Sequence, residues 1–261
     1  MAKSKQKKIA GVTYDQFLKK RRGEPARIKD FKKYSNQLIA FLDVLGIKSL
    51  IEQYRNDNEY IAIDKIEEIR KIVVTSTDIV RKSAKIDYLQ LSDSFVFVCD
   101  PKTIILLIEL LSTIQMRIIT ECQLLIRGAI TVGDAIVEED GKFIVGPAYI
   151  QAYQLQENDA IYPRIIVDES VIKQIKKSNH SIDTYLQQDS DREFFVDYIK
   201  IYMQKQSLSK QAIKSRLRRE NIFDCLRDNF KENYQKENHN ICQKYGWTIE
   251  YCKKLEVWEN G

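Results

Sequence analysis

The sequence predicts an α+β protein: a ferredoxin-like, split β-α-β antiparallel sheet with helices on one face, followed by a C-terminal helical extension. Three observations predict this fold class. Short apolar runs and longer stretches of helical periodicity alternate in the order β-α-(α)-β-β-α-β-(β)-α-β. The two middle strands are separated only by Ser92-Asp93 and form a hairpin, which an all-parallel sheet does not contain. Helices between the other strands exclude a β-sandwich.

The first half of the chain supplies a strand, two helices and the hairpin. The first strand is a short apolar run that ends in the turn Asp43-Val-Leu-Gly46. Apolar residues then recur at three- and four-residue steps, with a polar interruption at residues 56–59 that divides the segment into two helices. Strands are predicted at Leu38–Leu42, Ile86–Leu91 and Ser94–Cys99, and the two helices between Ile47 and Lys82.

The second half adds a helix with an early proline, whose missing N–H costs nothing in the first turn, and a long β-branched strand. The predicted elements are a helix from Pro101 to Glu121, strands Leu124–Val137 and Lys142–Val145 around a turn at Glu138–Gly141, a helix from Gly146 to Asn158, a strand at Tyr162–Val167, a helix at Glu169–Lys177 and an edge strand at Phe194–Ile199.

Charge and composition divide the chain into three parts. The net charge is +5, but residues 1–35 carry twelve basic and three acidic side chains. We therefore predict a basic N-terminal arm at 1–35, a sheet domain at 36–203 and a helical extension at 204–261. The arm is either a solvated tail or a segment attracted to polyanions. No helix-turn-helix, zinc-finger or RNP pattern is present, so a nucleic-acid partner is not expected.

Several function classes are excluded. The longest apolar run, Thr103–Leu111, is too short to span a membrane and contains Glu109. The basic N-terminus has no apolar region behind it, so no secretory signal is expected. Five scattered cysteines suit reduced thiols in the cytoplasm, and two histidines make a histidine-rich metal site implausible. Walker-type and dinucleotide-binding glycine motifs are absent. Any chemistry must therefore rest on carboxylates.

Two aspartates are the candidates. Asp43 ends the first strand and Asp93 lies at the hairpin tip, and in a split β-α-β sheet these two places are adjacent. With the carbonyl of Val44 they form a hard oxygen site suited to Mg²⁺ or Mn²⁺. The N–H groups of the following turn are expected to bind a triphosphate, with Lys48 adding charge. Equally open is a structural role, with Asp43 capping a helix and Asp93 serving a turn. The triphosphate-binding turn consists of Val44, Leu45, Gly46 and Ile47.

Four short motifs resemble those of the class III nucleotidyl cyclases and follow one another in the same order. They are Phe41-Leu-Asp43-Val-Leu-Gly46, Leu91-Ser-Asp93-Ser-Phe, Arg127-Gly-Ala-Ile-Thr-Val-Gly133 and Gly146-Pro-Ala-Tyr-Ile-Gln-Ala-Tyr-Gln-Leu-Gln156. The resemblance covers about half of the chain. It implies that Asp43, Val44 and Asp93 hold two divalent ions, Mg²⁺ or Mn²⁺. It also implies a homodimer with shared active sites, in which the Gly146 helix of one chain faces the aspartates of the other.

More narrowly, the Arg127-Gly-Ala-Ile strand, the Gly146 helix and Ala160–Ile165 resemble the pyrimidine cyclases of bacterial Pycsar antiphage systems. Where purine cyclases carry a base-reading lysine and aspartate, this chain has Leu89 and Phe143. Losing both polar groups argues against ATP and GTP. The resemblance thus implies that UTP, in preference to CTP, is converted to a cyclic nucleotide that signals to a separate effector protein.

Two other departures from the family pattern leave open which residue supplies the catalytic positive charge. Ile150 replaces the helix asparagine that orients the ribose in the family, and Gln154 replaces the transition-state arginine. Arg127 and Arg164 are the candidate substitutes. On the same helix, two tyrosines either stack on the base or pack a dimer; they are Tyr149 and Tyr153. The alternatives are a purine cyclase of the same fold, an inactive cyclase-like binding protein, and a nucleic-acid-binding protein led by the basic arm.

Overall fold

The computed structural model describes residues 33–53, 61–138 and 143–259. The strands are β1 (Ser35–Leu45), β2 (Ile86–Leu91), β3 (Ser94–Cys99), β4 (Leu125–Val137), β5 (Ile144–Val145), β6 (Ile165–Val167), β7 (Leu186–Gln188) and β8 (Phe194–Val196). The helices are α1 (Ile47–Gln53), α2 (Ile61–Arg81), α3 (Ile104–Arg117), α4 (Pro147–Asn158), α5 (Glu169–Lys177), α6 (Ile182–Tyr185), α7 (Tyr198–Lys205), α8 (Lys210–Arg219), α9 (Ile222–Gln235) and α10 (His239–Lys254).

The strands form one sheet in the order β2-β3-β1-β4-β6-β8-β7, with β5 paired to β4. The first four pair antiparallel in the order β2-β3-β1-β4, which is that of a split β-α-β, ferredoxin-like unit. β6 joins β4 in parallel, and β8 and β7 continue the sheet antiparallel. The predicted α+β fold class is therefore confirmed.

β1 separates two apolar layers because its side chains alternate between the faces of the sheet. Leu38 and Leu42 face the main core, which α2 and α3 cover. Ile39 and Phe41 point to the opposite face, where α4 packs through Ala152. Helices thus cover mainly one face, as predicted, and the structure adds α4 on the other.

Helix α3 lies within a longer helical stretch, Pro101–Cys122, that begins with a 3₁₀ turn and ends with a π turn. This stretch of 22 residues is long and apolar enough to cross a membrane by length and composition alone, although the sequence predicts that its apolar run is too short. In the structure 67% of its most apolar part is buried inside the protein. Such burial is what a core helix packed against a sheet shows.

Several predicted boundaries need correction. The strand expected at Phe194–Ile199 stops at Val196, because helix α7 begins at Tyr198, and β8 lies between β6 and β7 rather than at the edge. The edge strand is β7, which the sequence did not reveal because its three residues follow a polar region. The strand predicted at Tyr162–Val167 is limited to β6.

Some predictions fall outside the described residues. Nearly all of the basic arm, the break between the first two helices and most of the turn before β5 belong to the segments that are not described. Of the return strand expected at Lys142–Val145, the structure has Ile144–Val145.

Helices α7 to α10 pack onto the sheet domain. Their buried apolar side chains belong to the same core as β1 and α3; within residues 204–261 these include Leu217, Phe223 and Tyr251. On the outer surface Lys205 of α7 pairs with Glu109 of α3 at 3.0 Å. The predicted C-terminal extension therefore shares the main core of the sheet.

The close approach of β4 to β1 requires glycine at Gly128. A Cβ at this position would lie 2.5 Å from the Phe41 carbonyl oxygen and 2.6 Å from Leu42 Cδ2. We expect Gly128→Ala to lower the free energy of unfolding by about 1–3 kcal/mol, the usual cost of overpacking. Urea denaturation measures this difference.

The matched control is Gly246→Ala in α10, where the added Cβ would lie 3.2 Å from Cε2 of the Phe230 ring. A ring edge moves more easily than a paired strand, and alanine favours a helix by about 0.5–1 kcal/mol over glycine. Equal destabilisation by the two substitutions would contradict a close strand approach at Gly128.

Candidate active site

The carboxyl end of β1 positions the first aspartate. In the strand register Asp43 lies opposite Ser94 of β3 on one side and Arg127 of β4 on the other. It shares the sheet face of Phe41, the face that α4 covers, and its side chain is 21% exposed. A central strand therefore holds a carboxylate at the border between core and solvent.

Neighbouring donors bind both oxygens of this carboxylate. Arg127 Nε donates to Asp43 Oδ2 at 3.1 Å, and Ser94 Oγ donates to Oδ1 at 3.3 Å. Burial nevertheless raises the pKa of Asp43 above its usual value of 3.8, and the negative charge of Asp93 adds to the increase. Arg127 and Ser94 offset only part of it. The hydrogen bonds from Arg127 and Ser94 therefore do not fully compensate for the burial of Asp43 and the negative charge of Asp93.

Asp93 meets Asp43 at the tip of the β2–β3 hairpin. Ser92 has a positive φ of 57°, which makes the turn tight. The backbone N–H of Val44 donates to the carbonyl of Asp93 at 3.3 Å, so the hairpin tip is tied to the end of β1. The structure therefore places Asp93 next to the end of β1, where its charge acts on Asp43.

Arg127 is held by several acceptors besides Asp43. Its Nη1 donates to the carbonyl of Ala160 at 3.4 Å, and its Nη2 lies 3.7 Å from Glu157 of α4. With its amide oxygen turned toward the guanidinium, the buried Gln156 accepts from Arg127 at 3.1 Å. The candidate cation Arg127 is thus next to Asp43 and fixed there.

The turn from Val44 to Ile47 directly follows Asp43, as predicted. Gly46 has φ +95°, a backbone conformation that favours glycine, and α1 follows at once. Ile47 is buried in the main core, whereas the Lys48 side chain is 87% exposed and lies 3.9 Å from Glu52. Leu45 packs partly buried against the main core.

Only some of the four residues proposed to contact the base lie together in the structure. Leu89 and Tyr149 pack against the apolar cluster on the α4 face of the sheet. The Tyr153 ring lies edge-on to Phe41, with centroids 5.5 Å apart. Phe143 precedes β5 and is half exposed.

Arg164 is placed elsewhere. Its side chain is 0% exposed and forms ion pairs with Asp189, at 2.5 Å, and with Asp191. Aromatic rings surround the guanidinium, with Trp247 of α10 among them. A buried arginine with two ion pairs is not available to a substrate. The structure therefore does not place Arg164 beside Asp43 and Asp93, and the prediction of a catalytic Arg164 is wrong.

A lysine that no sequence motif marks interacts electrostatically with the site. Lys244 of α10 is half-buried and interacts electrostatically with Asp43 and Arg127. Burial and the charge of Arg127 lower its pKa. No local motif marks this residue, since it comes from a helix that the sequence indicated only as an extension.

Comparison with known proteins gives a likeness to solved structures. No protein-family model and no curated protein matches the chain. The chain is similar to the dimeric guanylyl cyclase domain of the RhoGC fusion protein from the aquatic fungus Blastocladiella emersonii, with 14% identity and a TM-score of 0.47 over 63% of this chain and 97% of that one. It is also similar to the adenylyl cyclase CyaB from P. aeruginosa (17%, 0.46, 63% and 93%). A third similar structure is a bacterial light-regulated adenylyl cyclase (12%, 0.47, 67% and 98%). Identities this low say nothing about substrate.

The contact between Arg127 and Asp43 predicts how the site titrates. In Arg127→Met the carboxylate loses the guanidinium that lowers its pKa, so we expect the pKa of Asp43 to rise further. A carboxyl group whose pKa is raised on folding stabilises the protein at low pH, and this stability is lost as the pH rises through the folded-state pKa. In Arg127→Met, the pH range over which this stability is lost should therefore extend to higher pH. Titration of the Asp43 carboxyl by ¹³C NMR measures the shift.

The control is Arg117→Met, which removes an arginine paired with Glu121 at 2.8 Å. It should leave the titration of Asp43 unchanged. A pKa of Asp43 that is the same in wild type and Arg127→Met would show that the ion pair does not control this carboxyl.

Proposed function

We propose that the protein is a metal-dependent nucleotidyl cyclase that converts a pyrimidine nucleoside triphosphate, UTP in preference to CTP, to a 3′,5′-cyclic nucleotide and pyrophosphate. The observation that carries the proposal is the meeting of Asp43 and Asp93 at the carboxyl end of the central strand. These two residues stand where the cyclase-like motifs of the sequence have their metal-binding aspartates.

The donor set fits a divalent cation. A carboxylate offers about four acceptor positions, and the described contacts use two of those on Asp43. Because burial raises the pKa of this carboxyl, a cation would stabilise its charged form. The described ranges contain no group of three or more His, Cys, Asp or Glu that could hold a metal. Backbone oxygen from Val44, water and substrate phosphate would complete the shell, as is usual for Mg²⁺.

Bound Mg²⁺ or Mn²⁺, two ions in the family that the motifs resemble, would neutralise phosphate charge and favour ionisation of the 3′-hydroxyl. Asp43 and Asp93 hold this charge in place, and Arg127 orients Asp43 while adding positive charge. The turn from Leu45 to Ile47 and the exposed Lys48 would bind the triphosphate, whereas the N–H of Val44 already donates to the carbonyl of Asp93. In the reaction a bond forms between the 3′-oxygen and the α-phosphorus, the bond to pyrophosphate breaks, and the hydroxyl proton passes to solvent.

The preference for a pyrimidine rests on Leu89 and Phe143, which replace the two polar base-reading groups of purine cyclases. Leu89 packs into the apolar cluster on the α4 face and offers no hydrogen bond to a base. The smaller base would lie against this cluster, with Tyr149 or Tyr153 available for stacking.

An exposed apolar face supports a homodimer with shared active sites. Four apolar side chains around β5 and α4 are 41% to 52% exposed, and a second copy of the chain would cover them; they are Phe143, Val145, Ile150 and Tyr153. The cyclic nucleotide would act in the cytoplasm on a separate effector protein in antiphage defence.

One observation favours a second function, an inactive cyclase-like protein that binds a nucleotide or a protein. Ile150 and Gln154 lack the side chains that orient the ribose and stabilise the transition state in the family, and both are exposed. An inactive protein would bind nucleotide without turnover.

The test is an incubation of the full chain with each labelled nucleoside triphosphate and Mn²⁺. We expect a cyclic product from UTP and a slower one from CTP. Asp43→Asn and Asp93→Asn should each lower the rate about 100-fold or more, because each removes a carboxylate that holds the metal charge.

The matched control is Asp78→Asn, which changes an exposed carboxylate on α2 that lies 3.5 Å from Arg81. It should retain wild-type activity. A product from ATP or GTP alone would overturn the pyrimidine preference, and full activity in both aspartate variants would overturn the proposed mechanism. Nucleotide binding without any product would favour the inactive protein.

A further inference from the structure

The loop between α4 and β6, residues 159–164, contacts the proposed active site at two points. The carbonyl oxygen of Ala160 accepts from Nη1 of Arg127 at 3.4 Å. The carbonyl oxygen of Arg164 accepts from the backbone N–H of Gly128, the residue after Arg127 in β4, at 3.0 Å. The 159–164 loop therefore binds both the guanidinium of Arg127 and the strand that carries it.

Two further partners of Arg127 directly precede this loop, at the end of α4. Glu157 lies 3.7 Å from Nη2 of Arg127, and the turned amide of Gln156 accepts from the guanidinium at 3.1 Å. The N–H of Ala160 donates to the carbonyl of Leu155 at 2.9 Å, so the loop is hydrogen-bonded to the helix end. Three partners of Arg127 thus lie within residues 156–160, and the conformation of the loop sets where they are.

The far end of the 159–164 loop is held by a buried cation. The side chain of Arg164 is 0% exposed and forms ion pairs with Asp189 and Asp191, which lie between β7 and β8. The carbon of its guanidinium lies 5.1 Å from the centroid of the Tyr162 ring. Removing one partner of a buried ion pair is strongly destabilising, because an uncompensated charge remains. This cluster therefore holds the loop in one conformation.

Trp247 of α10 connects the C-terminal extension to the same cluster. Its ring stacks on Tyr162, with centroids 6.1 Å apart and ring planes 12° apart. Its indole N–H donates to Asp189 at 2.6 Å, and its ring centroid lies 5.9 Å from the guanidinium carbon of Arg164. Helix α10 thus contacts the loop and also the carboxylate that pairs with the arginine of the loop.

We propose that Trp247 is a positioning residue, which acts through Tyr162 and the 159–164 loop to keep Arg127 against Asp43. The inference rests on the proposed function and deepens it, because Arg127 is the cation beside the candidate metal ligand. It also gives the buried Arg164 a part in the site that needs no contact with substrate. A displacement of about 1 Å caused by a distant substitution can cost about 100-fold in rate, so packing of α10 is sufficient to control turnover.

The test compares wild type with Trp247→Ala and Tyr162→Leu, which break the stacked contact from its two sides. The first measurement is the order of the Arg127 Nε–H group by ¹⁵N relaxation, with the signal assigned by its loss in Arg127→Lys. The second is kcat/KM for UTP with Mn²⁺. In both variants we expect the Nε–H group to become mobile and kcat/KM to fall about 10- to 100-fold, because the guanidinium leaves its place beside Asp43.

Trp247→Phe is the conservative variant. It keeps a ring against Tyr162 and loses the N–H bond to Asp189, which still pairs with Arg164. It should keep Arg127 ordered and retain most of kcat/KM.

The matched control is Trp258→Ala, which removes the other tryptophan of the chain. Trp258 is also buried, but its ring packs against Phe223 of α9, with centroids 5.0 Å apart. The control should lose stability and leave Arg127 ordered. Thermal unfolding of each variant checks that the chain folds. Should Trp247→Ala fail to fold, Tyr162→Leu decides, since it leaves α10 unchanged.

The outcomes separate the inference from the proposed function. If the wild type cyclises UTP and the two disrupting variants match it in both measurements, the inference is overturned and the cyclase stands. If Arg127 becomes mobile in these variants while no protein, wild type included, gives a cyclic product, the inference is upheld and the cyclase is overturned. An Arg127 that is mobile in the wild type, or that Trp258→Ala mobilises as much as Trp247→Ala does, also overturns the inference.

Discussion

The antiparallel pairing of β1 with both β3 and β4 is the constraint on which the site depends. The register places Asp43 opposite Ser94 and Arg127, and the backbone bond from Val44 to Asp93 closes the hairpin tip against the same strand end. Because side chains in a strand alternate, a slip of one residue would turn Asp43 into the main core. Apolar packing on both faces of β1 opposes such a slip, so packing along the whole strand sets the position of Asp43.

The charges at the carboxyl end of β1 favour the binding of a cation. Burial raises the pKa of Asp43 even with Arg127 and Ser94 bound to it. Buried carboxylates are costly unless they are compensated, and a divalent cation would provide the compensation. Arg127 would then face phosphate as well as the carboxylate of Asp43.

Local patterns were enough to predict the first four strands and the helices between them, because each carries a clear period and a turn signal. Asp43 and Asp93 could be paired because topology makes a strand end and a hairpin tip adjacent. The burial of Arg164 could not be predicted, since its partner Asp189 lies in a polar region without a pattern. Lys244 was missed because tertiary packing of α10, and no motif, brings it to the site.

The most direct measurement of the central claim is the position of a metal ion. Crystals of the full chain grown with Mn²⁺ and a non-hydrolysable UTP analogue would show manganese by its anomalous scattering. The account predicts a peak between the carboxylates of Asp43 and Asp93, in contact with the α-phosphate of the analogue. Manganese bound at another place, or a nucleotide bound away from the end of β1, would contradict it.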